Sequence, residues 1–453
     1  MFASGADLQS VNPLLTVHPL ARQVQRYVLL TTLVRYDSAL AVQPYLARAF
    51  EWSPDRKVIT FHLSTRVRWG DGATTTAGDA AWTLRTALDP RTGYPRRNDL
   101  MGIDTILARD DSTLVLRFTA ARSNVPDVLT DLAILPAHIF ERIPVENLRT
   151  AEWNEHPVGN GPFRFVSHEA NRRWVFEANP DFPPELGGPP ALARFVVAVV
   201  DEPTTKLAAL ASGELDFAGI NPAHAAFVRS DPDLAVISYP LLLTYGIVFN
   251  TRVPPFDDLH LRRLVSASLD RGEIVDGYLY GFGAVATGPV LPDLPGYIPT
   301  DLSALATGPG STRGADGRVT LELLTVGSGE AALEQMIQAQ LARVGITVTI
   351  RQLELTAFLN RVNSRHPDFQ AAVMGTAGDL GMGQLTTLGE LTGLAVPADP
   401  ALAQNMFDDS LPVAFLYHAR GVQGMNRRVK NVTMDIRGEL ASVHEWSVSR
   451  PSQ

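Results

Sequence analysis

At 453 residues the chain is too long for one hydrophobic core, so about two to four domains are expected. A formal net charge of −9 argues against a basic phosphate-binding face and so against nucleic acid as partner, while it suits cationic or zwitterionic ligands. The absence of cysteine excludes disulfides, thiolate nucleophiles and cysteine-based metal sites. The 45% hydrophobic and 19% charged content is that of a soluble globular protein, and no apolar run approaches the roughly 18 residues that span a bilayer.

In chain order, the opening MFASGADLQSVNPLL has no basic stretch followed by a long apolar run, so it does not read as a signal peptide. Either such a leader has been removed and Met1 added, or the chain is cytoplasmic. A helical period runs from Val24 to Val34. Ile59, Phe61 and Leu63 alternate with Val58, Thr60 and His62, the pattern of a strand with one buried face. Gly70-Asp71-Gly72 makes a turn, and Thr76 with Asp79 three residues on predicts a helix cap. Residues 107–121 predict a hairpin turning at Asp110-Asp111-Ser112, and 156–182 another turning near Glu169 to Asn171. Residues 193–220 read strand, helix, strand.

Residues 238–275, SYPLLLTYGIVFNTRVPPFDDLHLRRLVSASLDRGEIV, carry the clearest local grammar. Leu241 to Phe249 predicts a mostly buried strand. Asn250 has a side chain able to bond the turn backbone, and Pro254-Pro255 forces an elbow. Asp257 and Asp258 stand where a helix begins, the end that favours negative charge. Leu261, Leu264, Val265, Leu269 and Ile274 continue at helical spacing. The chain is loop-rich from Ala284 to Arg318; then 319–355 predicts a β-α-β unit, and LPVAFLYHA at 411–419 a short strand before a polar tail. The elements intermix as in mixed α/β lobes.

Four of these segments occur in the order of one family. PYLARAFEWSPDRKVITFHLSTRVRWGDGATTTAGDAAWTL, HPVGNGPFRFV, LAALASGELDFAGI and VFNTRVPPFDDLHLRRLVSASLDRGEIV resemble the extracellular solute-binding proteins of family 5, the oligopeptide- and dipeptide-binding components of ABC transporters. The resemblance implies an α/β chain of the type II periplasmic-binding-protein fold, with two hinged α/β lobes plus an extra domain. On that pattern 1–35 with 154–250 and 423–453 forms lobe I, 36–153 a smaller insert-like domain II, and 251–422 lobe III, with ligand between the first and third. The resemblance further implies a monomer without cofactor, periplasmic or extracellular, membrane-associated only through a removed anchor, that captures a peptide or similar-sized solute and delivers it to ABC transporter permease subunits. A ligand sensor or peptide chaperone on the same scaffold, or a binder of a nickel chelate, an oligosaccharide or an opine, fits the same resemblance.

The family words themselves read as structural. Asp71, Gly72, Asp79, Asn250, Pro255, Phe256 and Asp258 are expected to fix turns and caps. Ligand contacts are sought elsewhere. Asp379, in DFQAAVMGTAGDLGM, matches the family segment in which an Asp at a strand end pairs with a ligand α-ammonium, a charge-assisted bond; a solvated turn Asp is the alternative. Thr376 stands where family members often carry an aromatic. Tyr94 falls in a loop that reaches ligand in the family, or covers its own domain. His18 and Leu20 match a segment lying along a bound peptide backbone, with a capping role for His18 as the alternative. Tyr245 and Gly246 sit on the inter-lobe strand, where one of the pair is expected to face the cleft, with core packing the alternative for Tyr245; Tyr417, on the closing strand, lines the cleft or packs in the core. Arg361 or Arg365 would meet a ligand carboxylate with a guanidinium fork, or lie solvated. Two stretches, 296–319 and 379–411, are shorter than the family pattern. HExxH, GxSxG and GxxxxGK[ST] are absent from the sequence, and no two histidines stand at metal-ligand helical spacing, so an enzyme is not expected.

Overall fold

The computed structural model describes residues 1–16, 18–301, 319–364, 368–397 and 399–449. They divide into two compact units, 1–237 with 423–453 and 238–422. The chain leaves the first unit within the strand Leu234–Phe249 and returns within the strand Val413–Asn426.

In the first unit, the strand Phe2–Ser4 runs parallel to Arg194–Val199 on one side and to Phe217–Gly219 on the other. Arg173–Ala178 and Phe163–Glu169 extend the sheet antiparallel, and Phe217–Gly219 pairs with residues 423–425. Phe2, Phe163, Phe176, Phe195, Phe217 and Trp446 fill one aromatic core, with Trp446 stacked on Phe217 at 4.6 Å. A second, four-stranded antiparallel sheet holds Ala47–Trp52, Val58–Leu63, Thr113–Phe118 and Ile103–Asp110 in that order. Ile59, Phe61 and Leu63 are buried and their alternating neighbours are not, as the period-two pattern requires. The helix Ala77–Leu88 begins at the expected cap. The Asp79 carboxylate accepts from the Thr76 N–H at 2.8 Å, from Trp69 Nε1 at 3.3 Å and from the Ala137 N–H at 2.7 Å. One buried side chain thereby ties a turn, a helix start and a remote loop together.

The second unit contains the β-α-β unit read from sequence. Val319–Val326 and Ile346–Leu353 pair in parallel across the helix Ala332–Ala342. Ala371–Ala377 joins them in parallel at Leu323↔Ala371 and pairs antiparallel with residues 243–249. Alternation again sets the two faces. Ile247 and Phe249 pack with Leu321, Leu323 and Val373, whereas Val248 packs with Leu324, Ala372 and Phe358.

Three expectations change. The first helix is Pro19–Val24, not 24–34; a π-helical turn, Gln25–Leu29, follows it and Leu30 is extended. The reason is a close backbone approach: the Gly161 N–H donates to the Leu29 carbonyl at 2.9 Å, and a Cβ on Gly159 would lie 2.1 Å from that same oxygen. The glycines of HPVGNGPF therefore make room for the 28–30 backbone. The single helix expected after Asp258 is two, Leu259–Ala267 and Arg271–Tyr278, because Asp270 caps a new start through the Glu273 N–H; Leu264 is exposed. Val413–Asn426 is a 14-residue strand, longer than 411–419. The short 379–411 stretch forms two helices, Gly383–Thr392 and Pro400–Ser410.

Candidate functional site

In the first unit, His18 precedes Pro19, whose fixed φ suits the first helical position. His18 Nδ1 accepts from the Ala21 N–H at 3.3 Å, so one ring nitrogen is committed to the cap. Burial lowers the His18 pKa, and the negative Asp7 partly opposes that shift. Leu20 is buried. Asp7 itself organises the loop that leads to His18. It accepts from Trp174 Nε1 at 2.9 Å and the Asn171 N–H at 2.6 Å and pairs with His168 Nε2 at 3.1 Å. Burial would raise the Asp7 pKa, but these partners, Trp174 and His168 foremost, bring it down to about 2.

Tyr94 is 7% exposed and lines a crevice of about 10 Å³, the room of a single water, together with Arg22, Gln25, Arg96 and Asp131. Burial raises the pKa of its hydroxyl, and the Asp131 charge adds to the effect. Asp131 is the centre of the charge network here. Arg22 pairs with its Oδ2, Arg26 Nη1 lies 2.5 Å from its Oδ1, and Arg96 Nη1 lies 3.2 Å from Oδ2 while Arg96 Nη2 reaches Asp127 at 3.0 Å. The sequence reading missed this network. Its signals were the carboxylate of Asp131 set inside the run VLTDLAIL and two arginines at i,i+4 on the first helical segment.

In the second unit, Tyr245 and Tyr417 come together. Their rings stack at 4.9 Å and 18°, and Tyr278 approaches Tyr417 at 6.4 Å. Tyr417 is 2% exposed; burial raises its hydroxyl pKa, with Tyr245, Tyr278 and Glu334 reinforcing the shift. Gly375, opposite Tyr245 in the ladder, seats that ring, since a Cβ there would lie 3.0 Å from Tyr245 Cε2. The space a side chain on Gly246 would need is taken: its Cβ would meet Val413 Cγ1 at 2.8 Å and the Ala414 carbonyl at 3.1 Å. Beside Tyr417, the buried His418 ring shares a hydrogen bond with Thr244 Oγ1 at 2.8 Å, and burial lowers its pKa to about 4.

Arg361, on the helix Leu355–Val362, pairs with Asp368 at 3.1 Å and stands 4.0 Å from Glu322, in an open groove it shares with Val253, Pro254, Phe369 and Gln370. Arg365 lies outside the described residues. Asp379 follows the strand Ala371–Ala377; its Oδ1 accepts from the Gly383 N–H at 2.9 Å at the start of the helix Gly383–Thr392. The preceding Gly378 N–H donates to the Leu242 carbonyl at 2.8 Å, which holds Asp379 at the strand end.

Among the described residues no group of three or more His, Asp or Glu side chains is placed to hold a metal ion, and no helix is long and apolar enough to cross a membrane. The turn and cap residues behave as expected. Asp71 accepts from the Ala73 N–H, Asn250 from the Arg252 N–H and Asp258 from the His260 N–H, and the fully buried Phe256 stacks on Phe249 at 4.5 Å.

Comparison with known proteins follows the same lines. Residues 41–390 match the model of the bacterial extracellular solute-binding proteins, family 5. A protein of Brucella ovis with the provisional name ABC transporter peptide-binding protein is 30% identical over 339 residues, covering 72% of this chain and 63% of its own length. The chain thus spans under two thirds of that relative. Two solved structures share the fold. The substrate-binding protein CtaP of Listeria monocytogenes has a TM-score of 0.85 at 18% identity, with 99% of each chain covered. The oligopeptide-binding protein AppA of Bacillus subtilis, in complex with a nonapeptide, has a TM-score of 0.76 at 21% identity, with 99% of this chain and 98% of that one covered.

Proposed function

The chain belongs to the bacterial extracellular solute-binding proteins, family 5, and from that premise we propose that it captures peptides outside the cytoplasm and delivers them to an ABC importer without chemical change. The observation that carries the reading is the family match across 41–390, which spans elements of both units. The relative and the solved structure named for peptide binding support it. The division into lobe I, domain II and lobe III, the permease partner, the monomeric state and the membrane association implied by the resemblance belong to this proposal.

The proposed ligand contacts are His18, Leu20 and Tyr94 from the first unit and Tyr245, Gly246, Asp379 and Tyr417 from the second, with Arg361 or Arg365 for a ligand carboxylate. Asp379 is the one with a defined chemical role, a carboxylate at a strand end accepting from a peptide α-ammonium. Arg361 is already paired with acidic side chains, so a ligand carboxylate would compete with Asp368.

Native mass spectrometry of protein purified without refolding, followed by calorimetry with a mixed tripeptide pool, tests the reading. A retained peptide mass and saturable heat are expected. A retained solute of another class, or no heat with any peptide, overturns it.

A further inference from the structure

Gln384 is the second residue of the helix Gly383–Thr392 and is 2% exposed. Neither end of its side-chain amide, Nε2 or Oε1, has a hydrogen-bond partner. Other buried glutamines of the described residues are different in kind. Gln25 has a buried unpartnered atom only at Nε2, Gln423 only at Oε1, and Gln404 only at Oε1 while its Nε2 donates to Thr300 and Asp408. A buried amide with donor and acceptor both unspent is a feature that native interiors rarely retain without a partner from outside the chain.

Its place is specific. A Cβ on Gly378 would lie 2.3 Å from Gln384 Oε1 and 2.8 Å from its Cδ, so the amide rests directly against the Gly378 backbone. Gly378 and Asp379 are themselves half-buried. On the other side, a Cβ on Gly383 would meet Asp379 Oδ2 at 2.9 Å. The orphaned amide lies against Gly378 and the Asp379 carboxylate against Gly383, so both stand just past the end of the strand Ala371–Ala377. Position 378 has no Cβ, and a Cβ there would collide with the amide, so the glycine leaves Gln384 its room next to the residue that directly precedes Asp379 in the chain.

An amide offers one carbonyl acceptor and an NH₂ donor, the complement of a peptide group's N–H and C=O. A peptide places its first peptide group one residue from its α-ammonium. We infer that Gln384 is a specificity-determining residue that hydrogen-bonds the first peptide group of a ligand whose α-ammonium is held by Asp379, an inference that rests on the peptide reading above. It makes the site selective for a true amide at that position over an ester or a reduced bond.

The test is calorimetry on wild type and Gln384→Met with two probes: a tripeptide pool, and the same pool carrying an ester in place of the first peptide bond. Wild type should bind the ester pool at least about tenfold more weakly, since a site built to bond an N–H leaves its own polar group unpaired when that N–H is missing. Gln384→Met should lose a similar factor on the amide pool, bind both pools alike, and melt no lower than wild type, because an apolar side chain of similar size relieves an unpaired buried amide. A purely structural role predicts unchanged affinity. Equal wild-type affinity for the two pools overturns the inference whether or not the variant folds, and so does a variant that keeps wild-type affinity or still distinguishes the pools. In those cases peptide capture itself stands; wild type that binds neither pool overturns both.

Discussion

Asp131→Asn tests how the first unit is held together at Tyr94. The carboxylate is 7% exposed and faces Arg22, Arg26 and Arg96. Burial alone would raise its pKa, and the three guanidiniums outweigh burial and hold it at about 2 against an ordinary 3.8. The lowering from 3.8 to about 2 is worth roughly 2 kcal/mol at neutral pH. A depressed carboxyl pKa stabilises the fold above its unfolded value, and the gain is lost as pH falls through 3.8 towards 2. By linkage about 1 kcal/mol of it is gone by pH 3. The neutral amide does worse than remove this gain, because it leaves clustered guanidiniums without their central anion. Such half-broken buried pairs cost about 3–5 kcal/mol.

The assay can be confined to the right unit. All six tryptophans, Trp52, Trp69, Trp82, Trp153, Trp174 and Trp446, lie in the first unit, so tryptophan fluorescence during urea unfolding reports it alone. Asp131→Asn should unfold at markedly lower urea at pH 7. Its deficit against wild type should shrink by about 1 kcal/mol at pH 3, where wild type has begun to lose the same charge. A variant as stable as wild type at pH 7, or a deficit unchanged between pH 7 and pH 3, would refute the reasoning.

Three further outcomes are expected. Asp379→Ala should weaken binding of peptides with a free α-amino group at least about tenfold and leave N-acetylated peptides unaffected, by calorimetry; equal loss on both would remove the ammonium contact. Gly246→Val should lower the stability of the second unit by about 2 kcal/mol in thermal melts, since its Cβ would meet Val413 Cγ1 at 2.8 Å and a backbone oxygen at 3.1 Å; unchanged melting would mean the two strands separate freely. His418, held neutral by burial with its pKa lowered to about 4 from 6.5, should cost the second unit up to about 3 kcal/mol as pH falls from 6.5 to 4, because only the unfolded chain is free to take the proton in that range. Calorimetric melts of His418→Phe should be flatter over that window, and a slope equal to that of wild type would show that another group is responsible.

Local grammar proved legible where a residue acts on its own neighbourhood. The Thr76–Asp79 cap, the alternation at 58–63, the parallel pair across 332–342 and the Asp258 cap all follow from residues within a few positions of each other. Other failures have the opposite cause. The 24–34 period is apolar at helical spacing, yet the backbone there answers to Gly159 and Gly161, some 130 positions away. Arg262 and Arg271 sit among charged residues in the sequence and look solvated, but both are buried. Arg262 donates to the carbonyls of Phe256, Ser410 and Leu411, and Arg271 to those of Ser266, Leu269 and Phe415. Burial lowers the Arg271 pKa to about 10, and its partner Phe415 lies 144 positions away, outside any local window.

The same distinction separates the residues that identify the family from those that would choose a ligand. Asp79 spends its carboxylate on Thr76, Trp69 and Ala137, and Asn250 spends its amide on Arg252 and the Phe369 carbonyl. A side chain whose bonds are consumed internally fixes the backbone and has little left for a solute. It therefore marks the fold and stays silent on specificity. Selectivity has to come from capacity the fold leaves unused, and unused capacity is invisible in sequence because it is defined by partners that fail to arrive. Gln384, an unremarkable residue at a helix start, is informative only once both ends of its amide are seen to be bare beside Gly378. If solute recognition is built this way, substitution at 384 should alter which peptides bind while leaving melting little changed. Substitutions at 79 and 250 should do the reverse, and binding panels run beside thermal melts on the two sets would expose a failure of that division.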